Sequence, residues 1–524
     1  VYGKIGGHAY GFTYTGPVGA VVTPLLVGLD RAKDLFFGET LCGACKNACP
    51  VDIDLPRMLL ALRRRWAEGS KDDLFKGSGS SGERALFTAF SQMARRPALY
   101  RKAVKQFPDS GVAEHNLAGA LGDAGRWNEA EAHIRRAFKK GLDAPQTWLV
   151  FARTLMSLGK IDEARDAFEK TLQLNPAVLD AQRELAQLVW MATGDSKSAL
   201  ERLDATIASF PDVAVLHHIK AQALRAMEGH ARTLEFVSSS LERWPEDVTL
   251  LVRAVDAAIH AGEIESALEL SQRMMALDPN SQSVVESRIT ALLAAGRADE
   301  ALPMVEQQVA ASPNDQHAIA LLATTCRLLD DDRYAQLHNY DELVRPYQLT
   351  TPKGWSSLDD YLEDLRTALA ERHPYKRHPF MNSLDGGSMI MDFASMDNKA
   401  IGSLLHALTP AIDAHVEYLG KGDDAVRSRN TGRWQLDGIW SVYLQPNGFH
   451  HDHVHPNGWL SSACYITLPD RLETEEKEGW IKFGEPGVVT EPELPWEHAV
   501  KPQVGTIVLF PSYMWHGTIP FGGD

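Results

Sequence analysis

The sequence predicts a multidomain α+β chain. It begins with a short helical segment, continues as an all-helical solenoid, and ends in a domain of helices followed by short β-strands. Three observations predict this. Glycine, alanine and proline recur with a period near 34 residues between about 110 and 335. Short apolar runs punctuated by Gly, Pro and Asn follow residue 438. Three cysteines cluster near the start, ahead of a Gly/Ser tract. The expected divisions are 1–70, a linker over 71–108, repeats over 109–340 and a C-terminal domain over 341–524.

In the first division, Cys42, Cys45 and Cys49 lie in "LCGACKNACPVDI". Thiolates at that spacing, with a proline turning the chain away, suit one iron–sulfur cluster, which needs a fourth ligand from elsewhere. Five cysteines in 524 residues are too few for a disulfide scaffold, so ligation in a reducing, cytoplasmic compartment is expected. The remaining two, Cys326 and Cys464, read as small buried apolar residues. The tract "KGSGSSGER" (76–84) reads as a flexible linker.

In the repeats, Gly125, Gly159, Gly194, Gly262 and Gly296 fall at intervals near 34 or its double, and Ala130, Ala164, Ala199, Ala267 and Ala301 each follow by five residues. Pro176, Pro211, Pro245, Pro279 and Pro313 close the units. The glycine ends the first helix of a hairpin, the alanine lets the second helix pack closely, and the proline stops it. Trp148, Phe151, Ala152 and Leu155 show the helical apolar spacing between these marks. One unit departs, with Gly229 a position late and Leu234 near the alanine's place. The pattern resembles the tetratricopeptide repeat, with about six units and a degenerate seventh. That resemblance implies a superhelix whose groove takes a peptide or protein.

After about 340, helices are expected over 357–372 and 398–419, then strands over 438–444, 459–468, 479–483 and 505–510. The segment "FHHDHVHPNGW" crowds imidazoles just before a strand. On an extended chain His453 and His455 share a face and can point at one ion. His516, in "GTIVLFPSYMWHGTIPF", can supply a third imidazole, leaving sites open on an iron. His450 with Asp452 is a rival pair, which would give two histidines and a carboxylate with His516.

Net charge and hydropathy narrow the function classes. A formal charge of −16 argues against non-specific nucleic-acid binding. No apolar run reaches the ~18 residues of a membrane span. The chain starts at Val1 without a signal-peptide pattern, as a fragment or processed product would.

Two further resemblances follow from these residues. "VYGKIGGHAYG", "TGPVGAVVTPLLVGLDRAKDL" and "LCGACKNACPVDIDLPRMLLALR" resemble the C-terminal part of lactate-utilisation iron–sulfur proteins. In that family a fuller cysteine motif comes just before the Val-Tyr at which this chain starts. The segment therefore resembles half of a ferredoxin-like two-cluster module. Two expectations stay open: a 4Fe–4S cluster on Cys42, Cys45 and Cys49 with an iron–sulfur partner subunit, or a residual helical segment whose free thiols bind metal weakly or not at all.

"HPFMNSLDGGS" (378–388), "HVHPNGWLSSACYITLP" (453–469), "GWIKFGEP" (479–486) and "GTIVLFPSYMWHGTIPF" (505–521) resemble the Fe(II)- and 2-oxoglutarate-dependent oxygenases, in particular a bacterial branch fused to tetratricopeptide repeats. The resemblance implies a double-stranded β-helix (jelly roll). It also implies iron on His453, His455 and His516, with His455 where the wider superfamily has a carboxylate. Tyr443 falls where the family helps hold the 2-oxoglutarate carboxylate. The family's basic anchor for the other carboxylate would follow the distal histidine, on a strand expected to begin where this chain stops, at Asp524. The implied activity is hydroxylation of a peptide or protein, with release of succinate and CO2. The alternatives are an iron–sulfur electron-transfer protein and a non-enzymatic repeat scaffold.

Overall fold

A computed structural model describes residues 59–60, 62–63, 97–380, 382–391, 398–469 and 476–522. The chain divides into two compact units, Val1–Gln106 and Phe107–Asp524. In the first, the described part is the helix Pro97–Gln106 and a few helical residues near 60. Cys42, Cys45 and Cys49 lie outside the described residues.

The second unit opens with helical hairpins. They pair α1 (Gly111–Asp123) with α2 (Trp127–Lys139), α3 (Pro145–Ser157) with α4 (Ile161–Leu174), and α5 (Leu179–Thr193) with α6 (Ser196–Ser209). They continue through α7 (Ala214–Met227), α8 (His230–Arg243), α9 (Val248–His260), α10 (Ile264–Leu277), α11 (Gln282–Ala294) and α12 (Ala298–Ala311), and α13 (Gln316–Leu328) closes the stack. The periodic residues do what their chemistry dictates. Gly159 (φ 71°) and Gly296 (φ 69°) turn the chain in the left-handed region, where a side chain would be strained. Ala130, Ala164, Ala267 and Ala301 are fully buried and Ala199 nearly so. A larger side chain at these points would push neighbouring helices apart.

Beyond two short helices, α14 (Arg333–Leu337) and α15 (Tyr340–Leu343), the chain becomes mixed. Helices α16 (Leu358–Ala370), α17 (Lys399–Gly402) and α18 (Leu404–Leu419) accompany eight short strands. These are β1 (Arg345–Gln348), β2 (Leu384–Met391), β3 (Trp440–His450), β4 (Leu460–Tyr465), β5 (Ile481–Phe483), β6 (His498–Val500), β7 (Thr506–Pro511) and β8 (His516–Thr518). They pair antiparallel as β1-β7-β4, β2-β3 and β6-β5-β8. The helix expected over 398–419 is interrupted at Ser403, after Gly402 weakens its first turn.

Strand β7 is buried along its whole length. Ile507 and Leu509 face a core with Tyr361, Leu365, Ile401 and Leu408 from α16 to α18. Val508 and Phe510 face the other way, into a core shared with Leu292, Leu293, Ala320 and Leu321 of the repeats. Alternation along one strand thus divides two cores. The shared core joins repeats and strands in one unit, and polar contacts reinforce the seam. Trp515 Nε1 donates to Thr324 Oγ1 (2.9 Å), Arg327 to the Gly484 carbonyl (2.9 Å) and the Tyr513 hydroxyl to the Leu337 carbonyl (2.7 Å). The segment before β2 also lies on the repeats. The Lys376 amide donates to the Met191 carbonyl (2.8 Å) and the Tyr375 hydroxyl to the Met156 carbonyl (2.8 Å).

Candidate metal centre

Past β3 the chain turns through "HDHVHPNG" and meets the start of β8 at one isolated antiparallel bridge, His453 to His516. The His453 amide donates to the His516 carbonyl (3.0 Å) and the His516 amide to the His453 carbonyl (3.1 Å). Directly opposed residues in such a pair put their side chains on one face, close together. The His455 amide donates to the Ser512 carbonyl (3.0 Å), which brings the third imidazole beside them. His453 and His455 were expected on an extended stretch just before a strand. They sit in a loop instead, because the turn at Pro456–Gly458 stops the ladder, and the single bridge fixes the pairing.

The ring centroids of His453 and His516 are 4.2 Å apart, and each lies 5.1 Å from that of His455. One donor atom from each of the three lies within 4.8 Å of the others. Two tautomers are set by backbone carbonyls, which can only accept. His453 Nδ1–H donates to the His451 carbonyl (2.8 Å) and His516 Nδ1–H to the Met514 carbonyl (2.8 Å). Their Nε2 lone pairs are then free for an ion. His455 Nε2 lies 3.2 Å from His453 Nε2. Burial holds His516 well below the ordinary histidine range, with His453 and His455 adding to it. Burial, then His453, brings His455 to about 4. Three neutral imidazoles with convergent lone pairs are the donor set a borderline divalent metal takes, so the residues fit an Fe(II) ion.

Apolar walls enclose the group. The Phe510 ring lies 4.6 Å and the Phe483 ring 6.4 Å from His516, and the Trp440 ring lies 5.2 Å from His455. Trp440, at the start of β3, was not singled out from the sequence; an aromatic residue opening a strand ahead of the histidines was its one signal.

The other expected site residues take different partners. His450 lies beside the group, with its ring 5.7 Å from that of His453, and its Nδ1 is hydrogen-bonded to Ser383 Oγ at 3.1 Å. Asp452 is paired with Lys482 Nζ at 2.8 Å. A side chain at Gly517 would meet Asp452 Oδ1 at 2.7 Å and the His450 carbonyl at 2.9 Å, so the residue after His516 has to be small. Tyr443 is half exposed and shares its face of β3 with Ser441, opposite Trp440, with its ring 6.0 Å from that of His373. This placement does not bring it to the histidines.

Residues 438–524 match a family model described as "Putative 2OG-Fe(II) oxygenase", and residues 155–223 match a tetratricopeptide-repeat model. Over a partial segment the chain is similar to lactate utilization protein B of Lysinibacillus sphaericus, 37% identical over 133 residues, covering 25% of this chain and 27% of that protein. It is also similar to lactate utilization protein B 1 of Bacillus mycoides, 43% identical over 108 residues, covering 21% of each. The chain thus spans about a quarter of the length of the curated relatives it matches. Among solved structures, YrrB, a TPR protein with an unusual peptide-binding site, covers 36% of this chain and 97% of its own (18% identity, TM-score 0.26). A tetratricopeptide repeat protein from Parabacteroides merdae covers 44% and 90% (16% identity, TM-score 0.33). The chain carries a tetratricopeptide region and an oxygenase-type domain, whose family implies Fe(II) and 2-oxoglutarate. Among the described residues no helix is long and apolar enough to cross a membrane.

Proposed function

We propose that this chain is an Fe(II)- and 2-oxoglutarate-dependent hydroxylase whose iron is held by His453, His455 and His516, acting on a peptide or protein engaged by the repeats. The observation that carries the reading is the reciprocal backbone bridge between His453 and His516. It supports a ligand pair whose spacing is set by main-chain hydrogen bonds. The carbonyls of His451 and Met514 orient the two rings, and Phe483 and Phe510 keep water from that side. Bound Fe(II) supplies, with O2 and 2-oxoglutarate, the oxidising power for C–H hydroxylation. The eight strands are read as parts of a double-stranded β-helix. A protein substrate is favoured because the repeats and the strand domain share one core, which holds a docked polypeptide at a constant distance from the histidines.

The test is succinate release from 2-oxoglutarate by anaerobically iron-loaded chain, compared with His453→Ala and His516→Ala. Iron binding and turnover are expected to collapse in both; undiminished turnover in either overturns the assignment. For the first unit, sequence identity with lactate utilization protein B supports Cys42, Cys45 and Cys49 as ligands of a 4Fe–4S cluster. Electron paramagnetic resonance of reduced, anaerobically prepared chain checks it, and a Cys45→Ser variant with an unchanged signal argues against it.

A further inference from the structure

A second convergence of imidazole and carboxylate lies in the repeats, at residues unconnected with the periodic packing positions. Asp256 and His260 are four apart on α9, so they share one face of the helix. His230 opens α8, just after Gly229 turns the chain with φ 84°. The rings of His230 and His260 stack 3.8 Å apart with their planes 9° from parallel. Asp256 sits beside both, with Oδ2 3.7 Å from His230 Nδ1 and Oδ1 3.6 Å from His260 Nδ1. One donor atom from each residue lies within 4.8 Å of the others.

The protonation pattern suits metal ligation. His260 Nδ1–H donates to the Asp256 carbonyl at 2.9 Å, which leaves Nε2 with its lone pair. No hydrogen bond reaches the buried Nδ1 of His230 among the described residues. A buried ring nitrogen without a partner is costly unless something supplies one. Arg225 Nε lies 3.5 Å from Asp256 Oδ2, which leaves Oδ1 available to an ion.

We propose that His230, Asp256 and His260 form a second site for a divalent transition ion of the zinc class, distinct from the His453–His455–His516 centre. Two imidazoles and one carboxylate, with a position left for water, are a common zinc donor set at bond lengths of about 2.0–2.2 Å. Ligation requires the two stacked rings to turn out of parallel, because an imidazole binds an ion in its own plane, and rotamer adjustment at two helix ends supplies that turn. The ion links the second helix of one hairpin to the first helix of the next. Repeats of this kind are held only by contacts with their neighbours, so such a clip stiffens the solenoid locally.

The test is a Zn2+ titration of metal-stripped full-length chain against a chromophoric chelator, in a His453→Ala/His516→Ala background that removes the other centre. In that background one equivalent of zinc is expected to depend on Asp256 and His260. Asp256→Asn and His260→Gln, introduced separately, each weaken that equivalent at least tenfold. Both replacements keep side-chain volume, and circular dichroism melts establish that the variants are folded. Zinc affinity unchanged in both variants overturns the proposal, and so does a background chain that binds no zinc.

Discussion

The repeats and the strand domain reach stability by opposite routes. In the repeats the same small device recurs, with alanines such as Ala130, Ala164 and Ala301 fully buried where two helices meet. Each such point is one of several, and each hairpin leans only on its neighbours. In the strand domain every part is used once. A single strand, β7, separates two cores, and a single bridge sets two of the three candidate ligands. Damage should therefore be graded in the first region and abrupt in the second.

The sharpest break of that symmetry is His516→Ala. Loss of a partner beyond the ligand shell alone costs roughly 10–100-fold in metal affinity, so loss of the ligand itself is expected to exceed about 100-fold, read as iron bound per chain. The same assay on Ala267→Leu should show no change in iron binding. On stability the order is Phe483→Ala, which empties a fully buried ring site beside the seam, at about 3–5 kcal/mol. Next comes Ala164→Leu, which overpacks one repeat, at about 1–3 kcal/mol. Both are read from urea melts. A Phe483→Ala loss smaller than that of Ala164→Leu would reverse the contrast.

Acid should also act where the two regions join. His338 is buried among Tyr334, Tyr340 and Tyr513, with ring centroids 4.7, 5.6 and 6.0 Å away. Burial first, then Arg327, lowers it from the ordinary 6.5 to about 3. The folded pKa is the lower one, so its stabilising contribution is complete above about pH 6.5 and is lost as pH falls from there towards 3. In that window the slope from this one proton is about 1.4 kcal/mol per pH unit. Melting His338→Phe between pH 7 and 4 should show a shallower pH dependence than the parent. The smallest effect belongs to a helix start. Asp247 accepts the Leu250 amide at 3.0 Å to cap α9, and Asp247→Ala should cost about 1 kcal/mol in the same melts.

These differences also explain what could be read before the structure. The repeat register was legible because its glycines and alanines answer to local geometry that recurs. Helix α16 falls inside the expected 357–372, and β3, β4, β5 and β7 overlap their expected runs. Strands β1, β6 and β8 are three or four residues long, and unlike the equally short β5 they lie in no apolar run singled out from the sequence. Strand β2 contains Gly386 and Gly387, which punctuate like a turn. His453, His455 and His516 could be singled out from spacing and motif. What separates them from His450 and Asp452 could not, because it rests on Ser383 and Lys482, residues distant in sequence. The contact of Trp440 with His455 is hidden for the same reason.

Strand β7 has a consequence during synthesis. The repeat residues Leu292, Leu293, Ala320 and Leu321 are covered partly by Val508 and Phe510, which emerge about two hundred residues later. At about 5–20 residues per second the ribosome leaves that apolar surface uncovered for roughly 10–40 seconds. A nascent chain therefore carries a sticky flank on its last hairpins until β7 arrives, and a holding chaperone has that interval in which to act.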